Sequence, residues 1–217
     1  MENKINNDIN LSEENLNDSI DSCSYEILEA ATKKAAEVMG LSCEIGLRGG
    51  GSSYRIMKNF KDLNSKRPHI AIDPYGDITY HHWENYILPN SGYTNEMKNE
   101  ALTKLYYWSF KNDYNFIFFP MEDEEFFKRF PDGIPIYNEN KEVWDKYSLI
   151  FFDGPHTSTI IKNEISFFSE RMVVGGLWVF DDIHQYNHME TLDEYIKTFG
   201  FEVYDVNDTK ISYIKIK

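Results

Sequence analysis

Five short runs rich in apolar residues, Ser42 to Gly46, His69 to Asp73, Asn115 to Phe119, Ser148 to Asp153 and Leu177 to Asp181, punctuate the chain. Too short for core helices and bounded by turn-forming residues, they read as buried strands. The stretches between them carry apolar residues three to four apart, such as Ile56, Phe60 and Leu63, or Ile161, Ile165 and Phe168, which share one face of a helix. Strands separated by helices join in parallel through crossovers, so the pattern predicts an α/β sheet. An earlier helix carries Ile27, Ala31, Ala35 and Val38, with Ser24 expected as its N-cap and Gly40 as its stop. The last helix bears Leu192, Ile196 and Phe199 and ends at Gly200; beyond it, Phe201 to Val206, the turn Asn207-Asp208-Thr209 and the alternating Ile211, Tyr213, Ile214 and Ile216 predict a β-hairpin. Seven strands result, the final one antiparallel.

No repeat and no Pro/Gly/Ser linker divides this pattern, so residues 23–217 are expected to form a single domain. Residues 1–22 read as a polar, disordered leader: the first 20 hold six Asn and five acids against one Lys. The segment 74–113 is long for a connection and rich in His, Trp and Tyr; it is expected to act as a lid or acceptor-binding insertion, with Met97, Ala101, Leu105 and Trp108 marking a helix inside it. A net charge of −14 argues against nucleic acid and anionic membranes as partners. No run approaches the roughly 20 apolar residues of a membrane span, and the N-terminus lacks the features of a secretory signal, so the expected location is cytoplasmic. Cys23 and Cys43 form no metal-type pair and are expected to be reduced thiols.

In an open parallel sheet, ligands bind beyond the carboxyl ends of the strands. After the first strand stands Glu44-Ile45-Gly46-Leu47-Arg48-Gly49-Gly50-Gly51-Ser52-Ser53, where glycines let the backbone turn close to a ligand and the serines can cap the next helix. Arg48 breaks the G-x-G-x-x-G spacing of dinucleotide folds, and no phosphate-loop Lys-Ser/Thr follows. The second strand ends at Asp73, a carboxylate that can accept both hydroxyls of a ribose or simply cap the next turn. The fourth ends at Asp153-Gly154-Pro155-His156 and the fifth at Asp181-Asp182, bringing three carboxylates to one sheet edge. Such an oxygen set suits Mg²⁺, Mn²⁺ or Ca²⁺; the plainer alternative is solvated strand-end acids.

Here the chain resembles the class I S-adenosylmethionine-dependent methyltransferases, and among them the metal-dependent O-methyltransferases of the catechol and sugar-tailoring type. The resemblance covers residues 40–217 and rests on an acidic-x-Gly-x-x-x-Gly-x-Ser motif matched by Glu44, Gly46, Gly50 and Ser52, on Asp73 as the ribose acid, and on the terminal hairpin. It implies a Rossmann-like seven-stranded methyltransferase sheet, mostly parallel with an antiparallel C-terminal hairpin strand and helices on both faces. By the same resemblance, Asp153, Asp181 and Asp182 are the metal ligands, Asp153 also neighbours the cofactor, and His156, three residues past the first ligand, is the general base. Pro155 replaces an acid that sugar-tailoring relatives often carry, and Val174-Gly175-Gly176 replaces their Pro-Gly-Gly.

Glu122 is a candidate adenine contact after the third strand. His184, His188 and the aromatic cluster Tyr80, His81, His82 and Trp83 are secondary candidates, alternatively loop or roof residues. The function this implies is methyl transfer from S-adenosylmethionine, assisted by a divalent metal, to the oxygen of a small hydroxylated acceptor such as a sugar, a glycan precursor or a catechol-like diol, by a chain free to form a homo-oligomer. Alternatives are a metal-independent or nitrogen-directed methyltransferase and a non-catalytic S-adenosylmethionine-binding module.

Overall fold

The computed structural model describes residues 22–76, 78–83, 86–88, 92–137 and 140–217, with 81–83, 86 and 88 described by backbone alone. The leader expected over 1–22 lies, apart from Ser22, outside these residues. In chain order come α1 (Tyr25–Ala35), β1 (Leu41–Ile45), α2 (Gly51–Asp62), β2 (His69–Ile72), β3 (Tyr80–Trp83), β4 (Tyr86–Leu88), α3 (Asn95–Lys111), β5 (Phe116–Phe119) and α4 (Asp123–Arg129). There follow β6 (Ile134–Tyr137), β7 (Lys141–Trp144), β8 (Tyr147–Phe152), α5 (Ser158–Ser169), β9 (Met172–Phe180), α6 (His188–Thr191), α7 (Asp193–Thr198), β10 (Phe201–Val206) and β11 (Ile211–Lys215).

A seven-stranded sheet runs β10-β11-β9-β8-β1-β2-β5. From β5 to β9 neighbours are parallel, and β11 runs antiparallel to both β9 and β10. This is the sheet expected from the sequence. β8 is buried along its whole length because helices cover both faces. Alternate residues divide between the two sides: Ile150, Phe152, Trp178 and Phe180 join one cluster with α5 and α7, while Leu149, Phe151, Leu177 and Val179 meet α1 and α2. Phe152 and Phe180, cross-strand partners, stack with centroids 4.3 Å apart. A third cluster joins Tyr54 and Met57 of α2 to Leu105 and Trp108 of α3, so the predicted helix of the insertion packs on the sheet's far side.

Two local readings are corrected, and one strand pair was missed. Ser24 adopts a left-handed backbone (φ 53°) and makes no side-chain cap for α1. Gly50, also left-handed, occupies the N-cap of α2, and the serines behind it turn inward instead of capping. The antiparallel pair β6–β7 was not predicted: Pro135 lies within it and removes one backbone donor, which disguised a two-residue alternation of buried Ile134 and Ile136 with exposed neighbours. Gly200 does end its helix, with φ 80° and its amide on Lys197. Both cysteines are free thiols, Cys43 buried in β1 and Cys23 exposed. Among the described residues no helix is long and apolar enough to cross a membrane.

Candidate functional site

The strand order reverses between β1 and β8: β2 and β5 extend the sheet to one side, β9 and its hairpin to the other. At such a switch point the loops leaving neighbouring strands part and open a crevice. The backbones after β1 and β8 nevertheless begin in close contact. A Cβ on Gly46 (φ 90°) would sit 2.1 Å from the Asp153 carbonyl oxygen, so only glycine fits there. Beyond that contact opens a cavity of about 530 Å³, lined by Gly46, Arg48, Asp73, Glu122, Asp123, Asp153, His156 and Asp182 among others. Its size falls within the usual range for small-molecule sites.

Asp73 ties the loop after β1 to the loop after β2. Its Oδ2 accepts from the amides of Leu47 (2.9 Å) and Arg48 (3.1 Å), and its Oδ1 from that of Tyr75 (2.9 Å). The Tyr75 hydroxyl donates back to the Arg48 carbonyl, holding Arg48 in a left-handed conformation (φ 47°). The turn-capping role is thus realised. An ionised carboxylate offers about four acceptor positions, so beyond these three amides Asp73 keeps acceptor capacity toward the cavity. Burial raises the Asp73 pKa, against the lowering effect of these three amides.

Glu44, Gly50 and Ser52, expected to bind the cofactor, do not line the cavity. Glu44 is fully buried and accepts hydrogen bonds from the hydroxyls of Ser52 and Ser53, with His69 Nε2 3.8 Å away. Glu44 lies within β1 on the face covered by α2 and braces the loop from behind, whereas Gly46 follows the end of the strand, where its φ of 90° turns the backbone toward the cavity. Burial raises its pKa, opposed by His69 and the two serines. Gly50 lies under α3, where a Cβ would meet Leu105 at 2.8 Å. Glu122 is exposed at the cavity rim, at the N-cap of α4.

The acids after β8 and β9 part company. Asp153, Asp182 and His156 each present a donor atom within 4.8 Å of the others. Asp181, expected with them as a metal ligand, is committed elsewhere. Its Oδ1 lies 2.6 Å from the buried Lys210 Nζ and also accepts from the Asp182 amide, and its Oδ2 accepts from the Ser22 hydroxyl. Successive side chains of an extended strand point to opposite faces. Asp182, left-handed at φ 53°, then turns its carboxylate into the cavity. Burial raises the Asp153 pKa well above the ordinary carboxylate range, reinforced by repulsion from Asp181 and Glu44. Asp182 behaves oppositely: burial pushes its pKa up, but the hydrogen bond and charge of His156, aided by Gln185 and His184, hold it below its usual value.

His156, expected as the base, is 3% exposed, with Nε2 3.4 Å from Asp182 Oδ2 and its ring stacked on Tyr186 at 5.2 Å. Thr157 caps α5, its hydroxyl accepting from the Ile160 amide. His188 is buried away from the cavity, bridging the Tyr186 and Tyr213 hydroxyls, whereas His184 is exposed on its loop. From the insertion, Tyr80 and Tyr93 reach the cavity with their rings edge to face; the side chains of His81, His82 and Trp83 lie outside the described residues. Arg48 and Asp123 were missed as lining residues. Arg48 carried one usable signal, a lone cation in a glycine-rich loop.

A family model described as a methyltransferase domain matches residues 43–183, well over half the chain. Among solved structures, the O-methyltransferase NovP is similar at 15% identity, with a TM-score of 0.60 over 88% of this chain and 79% of that one. An O-methyltransferase from Bacillus cereus, solved in complex with SAH, gives a TM-score of 0.58 at 10% identity, covering 91% of this chain and 84% of that one. TomG from Streptomyces achromogenes, an O-methyltransferase solved with SAM, gives 0.55 at 11% identity, covering 90% and 82%. These likenesses are of fold. No curated protein matches by sequence.

Proposed function

The chain belongs to the methyltransferase-domain family, and from that premise we propose that it transfers the methyl group of S-adenosylmethionine to a hydroxyl oxygen of a small acceptor. The observation that carries this reading is the convergence of Gly46, Asp73, Asp153 and Asp182 on one cavity beyond the carboxyl ends of the parallel strands. The residues fit the cofactor's chemistry. A wall carrying Asp73, Asp153, Asp182 and Glu122 favours a sulfonium cation, and Arg48 offers one positive charge for an amino-acid carboxylate. Asp73 keeps acceptor capacity for ribose hydroxyls, and the missing Cβ of Gly46 lets backbone approach the ligand. Glu122 at the rim can accept from a purine amino group.

The chain's part in the reaction is mostly positioning. Asp73 locks the loops after β1 and β2 into one rigid wall, so the reacting atoms keep their line of approach. Tyr80 and Tyr93, from the 74–113 insertion, offer flat apolar faces with polar edges on the acceptor side. The O-methyltransferase neighbours support oxygen as the atom methylated.

Asp153 and Asp182 fit a divalent cation, since both line the cavity; Asp181 does not, because Lys210 holds it. A cation bound there would supply a Lewis acid that lowers the pKa of the acceptor hydroxyl. The Lys210 ion pair equally favours a second reading, transfer without metal. Incubation with methyl-labelled S-adenosylmethionine and a panel of sugars and diols separates the two. Label on oxygen that disappears in excess chelator and returns with added cation supports the first; label transferred unchanged in chelator supports the second. Label on nitrogen, or cofactor binding without transfer to any acceptor, contradicts the proposal.

A further inference from the structure

Lys210 is fully buried, and its Nζ contacts Asp181 Oδ1 at 2.6 Å and the Cys23 carbonyl at 2.7 Å, so one of the three carboxylates at this sheet edge is already neutralised by the protein's own cation. Of the three, Asp153 and Asp182 remain on the cavity. The third donor within reach is a nitrogen: His156 presents one within 4.8 Å of the oxygens of both Asp153 and Asp182. Donors sharing an ion at bond lengths near 2.1 Å lie about 3.0 to 4.2 Å apart, so closure on an ion requires shifts on the order of an ångström. The imidazole is not free to wander. It is 3% exposed, lies flat against Tyr186 with 13° between the rings, and follows Asp153-Gly154-Pro155, a short link to the first carboxylate.

We propose that His156 is a cation ligand with Asp153 and Asp182, taking the place Asp181 has left, and that this two-carboxylate, one-imidazole set prefers a first-row transition-metal ion to Mg²⁺. The inference deepens the methyltransferase reading and rests on it for the site's purpose. Its reasoning is ligand chemistry. All-oxygen sets suit Mg²⁺, which holds its waters tightly and gains little from nitrogen, whereas imidazole favours ions such as Fe²⁺, Co²⁺ and Zn²⁺. Tyr186 then acts as a positioning residue, since its ring sets the plane in which the imidazole must lie. Its hydroxyl is anchored in turn by His188 Nδ1 at 3.3 Å.

The test uses the full chain stripped with chelator, at one fixed pH. Calorimetric titration with Co²⁺ and with Mg²⁺ is expected to show Co²⁺ bound at least about tenfold more tightly, and His156→Gln to remove that preference while moving Mg²⁺ affinity by less than about twofold. In the Mn²⁺-loaded wild type, electron spin-echo spectroscopy is expected to show a directly bound nitrogen that His156→Gln lacks. Equal affinity for the two ions, or no nitrogen coupling, overturns the proposal. So does a folded His156→Gln protein that turns over slowly yet binds Co²⁺ as the wild type does, since His156 would then serve only as the proton acceptor. Should His156→Gln fail to fold, the wild-type spin-echo result decides alone. S-adenosylmethionine titrated into the same samples separates the two claims: no cofactor binding strikes the methyltransferase reading, and the nitrogen signal is judged independently of it.

Discussion

Lys210 Nζ lies 2.6 Å from Asp181 Oδ1, the two side chains being 0% and 2% exposed, and the Ser22 hydroxyl bonds both partners. The pair therefore fastens the start of α1 to the end of β9. Removing one member of a buried ion pair strands the other, so Lys210→Met is expected to cost about 3–5 kcal/mol in urea unfolding. Asp181→Leu combined with Lys210→Met leaves no stranded charge and should recover most of that loss. A double variant no more stable than Lys210→Met would show that the pair does more than neutralise itself.

Gly46 touches the Asp153 backbone at the reversal of strand order, where an added Cβ would lie 2.1 Å from a carbonyl oxygen. Gly46→Ala must separate the loops after β1 and β8. The expected result is a destabilisation of about 3 kcal/mol or more together with loss of cofactor binding, read by denaturant unfolding and calorimetry. Wild-type stability in this variant would contradict the packing described.

Asp73→Ala leaves three backbone amide donors without their acceptor at once, with an expected cost of about 2–4 kcal/mol in stability and at least about tenfold in S-adenosylmethionine affinity. Asp73→Asn keeps one acceptor oxygen and should fall between. If Asp73→Ala folds and binds the cofactor normally, Asp73 is only a turn cap.

Two buried groups set opposite limits on the pH of greatest stability. Burial depresses the His188 pKa from 6.5 to about 4, and its neutral ring, donating to Tyr213 and accepting from Tyr186, suits the hydrogen bonds it makes. The unfolded chain therefore binds more protons in this interval, and stability should fall by about 3 kcal/mol as pH drops from 6.5 to about 4. Glu164 is shifted well upward, by burial first and then by the charge of and hydrogen bond to Asp123. Its protonated form is favoured by folding, so that contribution is complete below pH 4.5 and lost as pH rises through the raised pKa. Urea midpoints measured from pH 4 to 9 should fall less steeply on the alkaline side for Glu164→Gln than for the wild type. Parallel curves would contradict the protonation of Glu164 in the folded chain.

The sheet was legible because its strands are short apolar blocks, most of them with an acid or glycine at the carboxyl end, and the parallel crossover pattern brings those ends to one edge. Asp73, Asp153 and Asp182 were readable on that ground. What sequence did not reveal is which face each side chain takes. Glu44 and Gly46 stand two residues apart, yet one braces the loop from behind and the other forms the cavity wall. Asp181 and Asp182 look equivalent as neighbours, but a buried lysine 28 residues beyond Asp182 claims the first, a pairing that only the antiparallel return of β11 creates. The β6–β7 pair was hidden by a proline at a position where an isolated two-stranded ladder tolerates one.

The central claim is tested most directly by isothermal titration calorimetry of the full chain with S-adenosylmethionine, a measurement that needs no knowledge of the acceptor. Saturable binding of one cofactor per chain, weakened in Asp73→Ala and competed by S-adenosylhomocysteine, is the predicted result. No binding, with or without divalent cations, would mean that the loop from Gly46 to Ser52 and the Asp73 clamp are purely structural, and the methyltransferase account of this site would be wrong.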